Sequence, residues 1–351
     1  MPVRRHRVFK VCYAKAMIAR GLLLISGFFL LLFGLLILSM LLLGAARHGR
    51  ELAFVREESV DFSFNLYLMD VDYGLTTRLT RRALWYDNFD WSPDGQQLAV
   101  ELVTRDSEDL IFLLNMRGED SLLTTGRQPA WSPDGTTLAY VTRGAAGYDI
   151  MTLDLTSIQR HDLGSSTSAQ ASPTWSPDGR WLAYTMGIDI PLLLLVDTQG
   201  STAPRQIAYS TDMLWSADSR TLTYTAYRNG DYDVYSVNLD TGAEQTLTDT
   251  LEDERYPVWS PDGTRLAYVA TYGYADFLRI LYADGAVYNI DLSALIGHRV
   301  YIGELPVWSA DGRQMVLSLI TPSVPNAYNL YLLTLDGRNA GHSAAYAGWT
   351  Q

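Results

Sequence analysis

The stretch "WSPDGTTLAY", residues 131–140, decides the fold because five closely similar stretches occur elsewhere in the chain. The six copies begin at Trp91, Trp131, Trp175, Trp215, Trp259 and Trp308. Their intervals are 40, 44, 40, 44 and 49 residues. A repeat of roughly 40–50 residues is the length of one four-stranded propeller blade. The repeat therefore predicts an all-β propeller.

Each repeat contains the signals of a short meander. Ser-Pro-Asp-Gly forms a turn, since Pro presets φ, Asp tolerates the third position and Gly accepts positive φ. The turn leads into an alternating strand such as "TLAYVT" (137–142), then a third strand such as "DIMTLDL" (149–155) and a weaker fourth such as "EQTLT" (244–248). We expect the tryptophans to fill the seams between blades. Ser219 replaces the turn glycine in the fourth repeat, which predicts a different turn there.

The six motifs, read as W-S-[PA]-D-G-x-x-L-A-Y, resemble the repeat of TolB-type β-propellers, which are distant relatives of WD-repeat proteins. The resemblance covers about residues 48–351 and by itself implies six blades. Fold likeness does not fix an activity, because propellers serve many unrelated functions.

Two leftover fragments indicate a seventh blade. Residues 49–80 match strands two, three and four of a repeat, in "GRELAFV", "NLYLMDVD" and "TTRLT". The closing "AYAGWTQ" (345–351) matches a first strand, and Trp349 follows Trp308 by 41 residues. We predict seven blades, with one blade shared between the two ends of the chain. The alternative is six blades, with the first fragment a linker and the last a tail.

An apolar segment precedes the repeats. Residues 21–46 contain no charge and are long enough to cross a hydrocarbon core of ~30 Å as a helix. Six basic residues lie in 1–20 and two between this segment and the first repeat. This asymmetry predicts a single-pass membrane protein with residues 1–20 in the cytoplasm and the propeller, 48–351, outside. The alternative is a cleaved signal peptide with "GAA" (44–46) at its cleavage site.

Charge excludes one class of partner. Residues 1–50 hold eight of the 27 Lys and Arg residues and none of the 39 acids, which leaves 19 basic against 39 acidic residues and a net charge of −20. Nucleic-acid binding needs cationic surface, so we expect no nucleic-acid partner. Cys12 is the only cysteine, so no intrachain disulfide can form.

Catalytic and metal-binding motifs are not found in the sequence, which predicts no catalytic residue, no metal and no cofactor. The histidines after the apolar segment, at positions 48, 161, 298 and 342, are isolated and predict surface loop residues. Acid pairs such as Asp70 and Asp72 do not follow a calcium-loop spacing, and turn chemistry explains them better.

Residues three positions before each tryptophan are expected to ring one mouth of the central channel. Together with the neighbouring Glu304, the predicted ring is Asn88, Gln128, Ser172, Asp212, Tyr256, Glu304, Leu305 and Tyr346. It is polar and slightly acidic, which suits a cationic or peptide partner, although a merely solvated rim explains the same residues.

The sequence thus favours a membrane-anchored, non-enzymatic module that binds or scaffolds a protein, a peptide or a cell-envelope component. One alternative is a sensor coupled to a separate signalling partner. Another is a carbohydrate or peptide lyase or hydrolase, for which Asp212 and Glu304 would be the carboxylates to examine.

Overall fold

The computed structural model describes most of the chain after residue 50. The described residues are 12–14, 51–58, 63–70, 75–80, 85–104, 108–144, 147–163, 168–187, 191–198, 203–210, 212–273, 275–297, 299–302, 306–309, 311–320, 328–335 and 343–346. The predicted membrane segment, 21–46, lies outside these ranges. Within them, no helix is long and apolar enough to span a membrane.

The described strands form seven antiparallel sheets, each a meander of consecutive strands. Blade one contains β1 (Cys12–Ala14), β2 (Glu51–Glu58), β3 (Ser63–Asp70) and β4 (Thr76–Arg78). Blade two contains β5 (Trp85–Trp91), β6 (Gln97–Val103), β7 (Asp109–Asn115) and β8 (Asp120–Thr125). Blade three contains β9 (Arg127–Trp131), β10 (Thr137–Arg143), β11 (Tyr148–Asp154) and β12 (Arg160–Asp162).

The remaining blades follow the same order along the chain. Blade four contains β13 (Gln170–Trp175), β14 (Trp181–Met186), β15 (Leu192–Asp197) and β16 (Arg205–Tyr209). Blade five contains β17 (Asp212–Trp215), β18 (Thr221–Arg228), β19 (Asp231–Asn238) and β20 (Glu244–Thr246). Blade six contains β21 (Asp253–Trp259), β22 (Arg265–Tyr272), β23 (Ala275–Tyr282) and β24 (Val287–Ile290), followed by the helix α1 (Leu292–Ile296). Blade seven contains β25 (Tyr301–Ile302), β26 (Val307–Trp308), β27 (Gln314–Ile320), β28 (Tyr328–Thr334) and β29 (Ser343–Tyr346). Both β25 and β26 pair with β27, so together they occupy its inner position. The predicted count of seven blades is confirmed.

The tryptophan of each motif sets the register of its blade. Trp131 pairs with Leu138 and Trp259 with Leu266, and the same pairing recurs in every motif, with Met315 in place of Leu in the last. Blade one has no such tryptophan. Tyr13 pairs there with Leu52, so an aromatic residue holds the same register position.

Ring closure differs from the predicted one. Ala345 and Tyr346, which we assigned to the first strand of the shared blade, belong to the outermost strand of blade seven, where Tyr346 pairs with Tyr331. The inner edge of β2 is paired with β1 instead, because residues 12–14 place an aromatic opposite Leu52 in the register of the motif. Trp349 lies outside the described residues.

Apolar side chains pack between neighbouring blades. Clusters of buried residues join blades one to two, two to three, three to four, four to five and six to seven. A further cluster joins blade seven to blade one through Val316 and Phe54, which closes the ring. Several indole N–H groups donate across these seams: Trp175 to the Ala130 carbonyl at 3.0 Å, Trp215 to Thr174 at 3.3 Å and Trp308 to Val258 at 3.1 Å.

The motif turn is held by one serine and one aspartate. In the second repeat the Ser132 hydroxyl donates to Asp134 Oδ1 at 2.6 Å and accepts from the Thr137 N–H at 2.9 Å. Ser219, predicted to change its turn, keeps the usual shape with φ of 62°. Its hydroxyl accepts from the backbone N–H of Asp178 in blade four at 2.9 Å. This bond between blades offsets part of the strain of a left-handed serine.

Candidate binding site at the inner strands

The inner strands bulge just before the tryptophan. In blades two, three, four and six the pairing between first and second strands is interrupted there. Gln128, Ser172 and Tyr256 lie at these bulges with φ of 52°, 55° and 57°. A left-handed conformation outside glycine is costly and persists where surrounding contacts hold it. Three of the predicted mouth residues therefore share one constrained backbone geometry.

A hydrogen-bonded chain links three of the predicted residues across blades two, three and four. Glu101 Oε2 accepts from Asn88 Nδ2 at 2.6 Å and from the Gln128 N–H at 2.9 Å. Gln128 Oε1 in turn accepts from the Ser172 N–H at 2.8 Å. Glu101 is only 2% exposed, while Ser172 is exposed. A buried carboxylate thus orients a row of polar residues that ends at solvent.

Glu101 was not among the predicted site residues. It occupies a position of β6 where the other repeats have small or apolar residues. The equivalent positions are Val141, Thr185, Thr225, Val269 and Ser318. A carboxylate inside an otherwise apolar strand is the signal that could have identified it.

The other predicted mouth residues are more dispersed. Asp212 begins β17 and is half-buried, and its carbonyl accepts from the Ser210 hydroxyl at 2.7 Å. Tyr256 is half-buried and packs against the cluster shared by blades six and seven. Tyr346 is on an outer strand rather than an inner one, because our count started from Trp349 as a first-strand residue. Glu304 and Leu305 lie outside the described residues, so the pairing of Asp212 with Glu304 stays a prediction.

Ionisable side chains fill the seam between blades five and six, and sequence reasoning missed them. Glu254 is 0% exposed and Asp233 is 2% exposed. Arg279 pairs with Glu252 and, at 3.2 Å, with Glu254, whose Oε1 also accepts from the Thr250 hydroxyl at 2.9 Å. Among the described residues, this seam is the one for which no apolar cluster joins the two blades.

Burial changes the protonation of this seam. Loss of solvation is the main cause that raises the pKa of both Asp233 and Glu254 above their ordinary values. The neighbouring Asp233 carboxyl raises the pKa of Glu254 further, because ionising two carboxyl groups close together is unfavourable. Burial also raises the pKa of Tyr268 to about 12. Both carboxyls are buried within the seam and do not face solvent.

Metal binding has no support in the described ranges. No three His, Cys, Asp or Glu side chains converge there as ligands would. His161, the one histidine in those ranges, is exposed on β12.

Family membership follows from a sequence comparison that agrees with this architecture. The family model described as TolB beta propeller domain matches residues 53–298. The chain belongs to this family. As a TolB-like propeller it resembles the Tol-Pal system protein TolB of Francisella tularensis subsp. mediasiatica, with 34% identity over 62 residues. That segment is 18% of this chain and 14% of the relative, so the match reaches only a small part of the relative's length.

Solved structures share the fold of this TolB-like propeller at low sequence identity. An oligogalacturonate lyase in complex with manganese has a TM-score of 0.64 and 18% identity, over 82% of this chain and 86% of the lyase. TolB from Acinetobacter baumannii has a TM-score of 0.51 and 18% identity, over 82% of this chain and 77% of that protein. Likeness at this level shows the common fold and leaves the activity open.

Proposed function

We propose that this TolB-like propeller is a non-enzymatic module that binds a protein or peptide of the cell envelope at the inner-strand mouth of blades two to four. The row from Asn88 through Glu101 and Gln128 to Ser172 carries the proposal. Its polar groups are held by left-handed backbone and a buried carboxylate before any partner arrives. Such preorganisation lowers the ordering cost of binding a peptide.

Cross-linking at the mouth tests this function. A photo-reactive amino acid replaces Ser172, which is exposed at the end of the row, and Gln245 on the exposed outer strand β20 serves as the matched control position. We expect irradiation of membranes that contain the full chain to give a discrete protein adduct from position 172 and none from position 245. Equal adducts from both positions, or cleavage of a carbohydrate or peptide by the purified chain, would contradict the proposal.

In this proposal residues 21–46 cross the membrane once, and residues 1–20 stay in the cytoplasm. The uncharged run and the basic residues before it support this orientation. Such an orientation separates β1 from blade one, since residues 12–14 would lie on the opposite side of the bilayer. In the anchored form the inner edge of β2 is therefore left to a strand other than β1.

Cys12 reports on this orientation because it is the only cysteine. In sealed spheroplasts we expect a membrane-impermeant maleimide to leave Cys12 unlabelled, and permeabilisation without denaturant to allow labelling. A Gln245→Cys change in a Cys12→Ser background should be labelled without permeabilisation, because Gln245 is exposed. Labelling of Cys12 in sealed spheroplasts would refute the anchor. Protection of Cys12 that persists after permeabilisation would do the same, because it would keep β1 within blade one.

A further inference from the structure

An exposed apolar and aromatic surface lies where blades five and six meet. We call it the Leu251 surface; it consists of Tyr227, Asp231, Tyr232, Asp249 and Leu251. Leu251 is 94% exposed on the crossover from β20 to β21, and Tyr227 is 61% exposed at the end of β18. Exposed apolar side chains that lie together, unlike single scattered ones, mark sites that contact another molecule.

The hairpin and the crossover that carry this surface touch each other. Tyr227 packs edge-on against Tyr232, with ring centroids 5.0 Å apart. The Tyr232 N–H donates to Asp253 Oδ1 at 3.2 Å, and the Arg255 guanidinium lies 3.6 Å from the Tyr232 ring centroid. These contacts join the β18–β19 hairpin to the start of β21, two residues after Leu251.

The charge of the Leu251 surface is negative. Residues 249–253, "DTLED", contain three acids and no base, and Glu254 after them is buried. Each nearby arginine is already paired: Arg255 with Asp253 at 3.3 Å, Arg279 with Glu252 and Glu254, and Arg228 with Glu244. The charges of Asp231 and Asp249 add to the field around Asp233 and help to raise its pKa. The acids therefore exceed the cations that the chain itself provides here.

We propose that the Leu251 surface docks a cationic segment of another polypeptide, rich in Lys or Arg and carrying an aliphatic side chain that covers Leu251. Charge complementarity selects such a partner, because opposite potentials steer association and exclude acidic competitors. The exposed Tyr227 ring offers a face to a guanidinium or ammonium group. This inference rests on the proposed binding function and names a second contact region of the same module, away from Ser172.

Peptide titration tests the surface with the full chain in detergent micelles. The probe is a short fluorescein-labelled peptide of alternating arginine, leucine and glycine, followed by fluorescence anisotropy at several salt concentrations. Leu251→Ser removes an exposed side chain and leaves the fold intact. It should weaken binding by about tenfold, a factor in keeping with the burial of one leucine. Asp231→Asn with Asp249→Asn should weaken binding by about fivefold and reduce its salt dependence.

A matched control separates this surface from general attraction to an acidic body. Glu108→Gln with Asp240→Asn removes the same charge from two exposed positions outside the Leu251 surface and should change affinity by less than about twofold. Equal weakening by the control pair, or an unchanged affinity for Leu251→Ser, overturns the proposal. Self-association of the chain that Leu251→Ser abolishes, without peptide binding, also overturns it and assigns the surface to a second copy.

Cross-linking distinguishes failure of this inference from failure of the proposed function. A photo-reactive residue at position 251 should capture the same protein as one at position 172. Capture at position 172 alone would contradict docking at the Leu251 surface and would still support the proposed function. Capture at position 251 alone, together with peptide binding, would support docking at the Leu251 surface and would contradict binding at the inner-strand mouth.

Discussion

Replacing Trp308 by alanine should lower the free energy of unfolding by about 3–5 kcal/mol, the range for truncating a large buried aromatic. Trp308 is buried in the cluster between blades six and seven, and its indole N–H donates to the Val258 carbonyl at 3.1 Å. The Arg265 guanidinium covers its ring at 4.7 Å. Alanine would open a cavity at the seam and remove this hydrogen bond between blades six and seven. Urea unfolding followed by circular dichroism measures the change.

Two phenylalanine variants separate the ring from its hydrogen bond. Trp308→Phe keeps most of the apolar volume and loses the bond to Val258, which contributes about 0.5–1.5 kcal/mol. In Trp131 the indole N–H is buried without a hydrogen-bond partner among the described residues. Trp131→Phe should therefore cost less than Trp308→Phe. A cost below about 1 kcal/mol for Trp308→Ala would contradict the seam role of the motif tryptophan.

Arg279→Met should destabilise the chain by about 3–5 kcal/mol near pH 7, because removing one partner leaves buried charge without compensation. The Arg279 side chain is 17% exposed and faces Glu252 and the buried Glu254. Methionine keeps the length of the side chain and loses the guanidinium, so the effect reports on charge more than on packing. Urea unfolding at a series of pH values measures the effect.

The pH dependence of that variant has a defined sign. Asp233 and Glu254 have pKa values raised above 3.8 and 4.5, so the folded state binds more protons than the unfolded state. Their contribution is fully present below those ordinary values and falls as pH rises through the raised ones. Without Arg279 the carboxyl pKa values rise further, so the variant should lose stability with pH more steeply than the wild type.

Controls for Arg279 come from the same chain. Adding Glu254→Gln to Arg279→Met removes one buried charge and should restore part of the stability near pH 7. Arg220→Met removes an exposed arginine paired with Asp240 at 3.8 Å and should cost less than about 0.5 kcal/mol. A loss for Arg279→Met that is the same at pH 5 and pH 8 would show that packing, and not charge, dominates.

Motif aspartates limit the pH range of this experiment. Asp134 and Asp218 accept from the serine of their own turn, which is the main cause that lowers their pKa values, and Asp262 reaches about 2 in the same way. Their stabilisation is present above the ordinary value of 3.8 and is lost as pH falls through the lowered ones. The comparison for Arg279 therefore belongs above about pH 4.5, where these turns are ionised.

The blades could be predicted from the sequence because their determinants are local. The turn is specified within five residues by Ser132, Asp134 and Gly135, which precede the second strand of the blade. The six copies of this turn reveal the length of the repeat. Gln128 and Ser172, counted back from their tryptophans, lie on the first strands of blades three and four. These features need no knowledge of which blade lies beside which.

Closure and the buried carboxyls depend on contacts distant in sequence. The sequence pattern favoured the segment around Trp349 for the edge of β2, whereas Tyr13 of β1 pairs there. Asp233 and Glu254 lie on different blades, so the burial that raises both pKa values arises only when the seam forms. Glu101 stands out in the sequence as a charged residue where the other repeats have small or apolar ones. Its partner Gln128, however, comes from the next blade.

The seam between blades five and six has a mechanical consequence. A closed ring opens first where water best replaces the contacts it breaks, and water replaces hydrogen bonds and ion pairs far better than hydrocarbon packing. This seam buries the polar side chains of Thr223, Thr225, Asp233 and Glu254. Among the seams in the described part of the chain, it is therefore the one whose contacts water replaces best. Alkaline solution should therefore weaken this seam before the apolar seams, because both buried carboxyls ionise as pH rises through their raised pKa values.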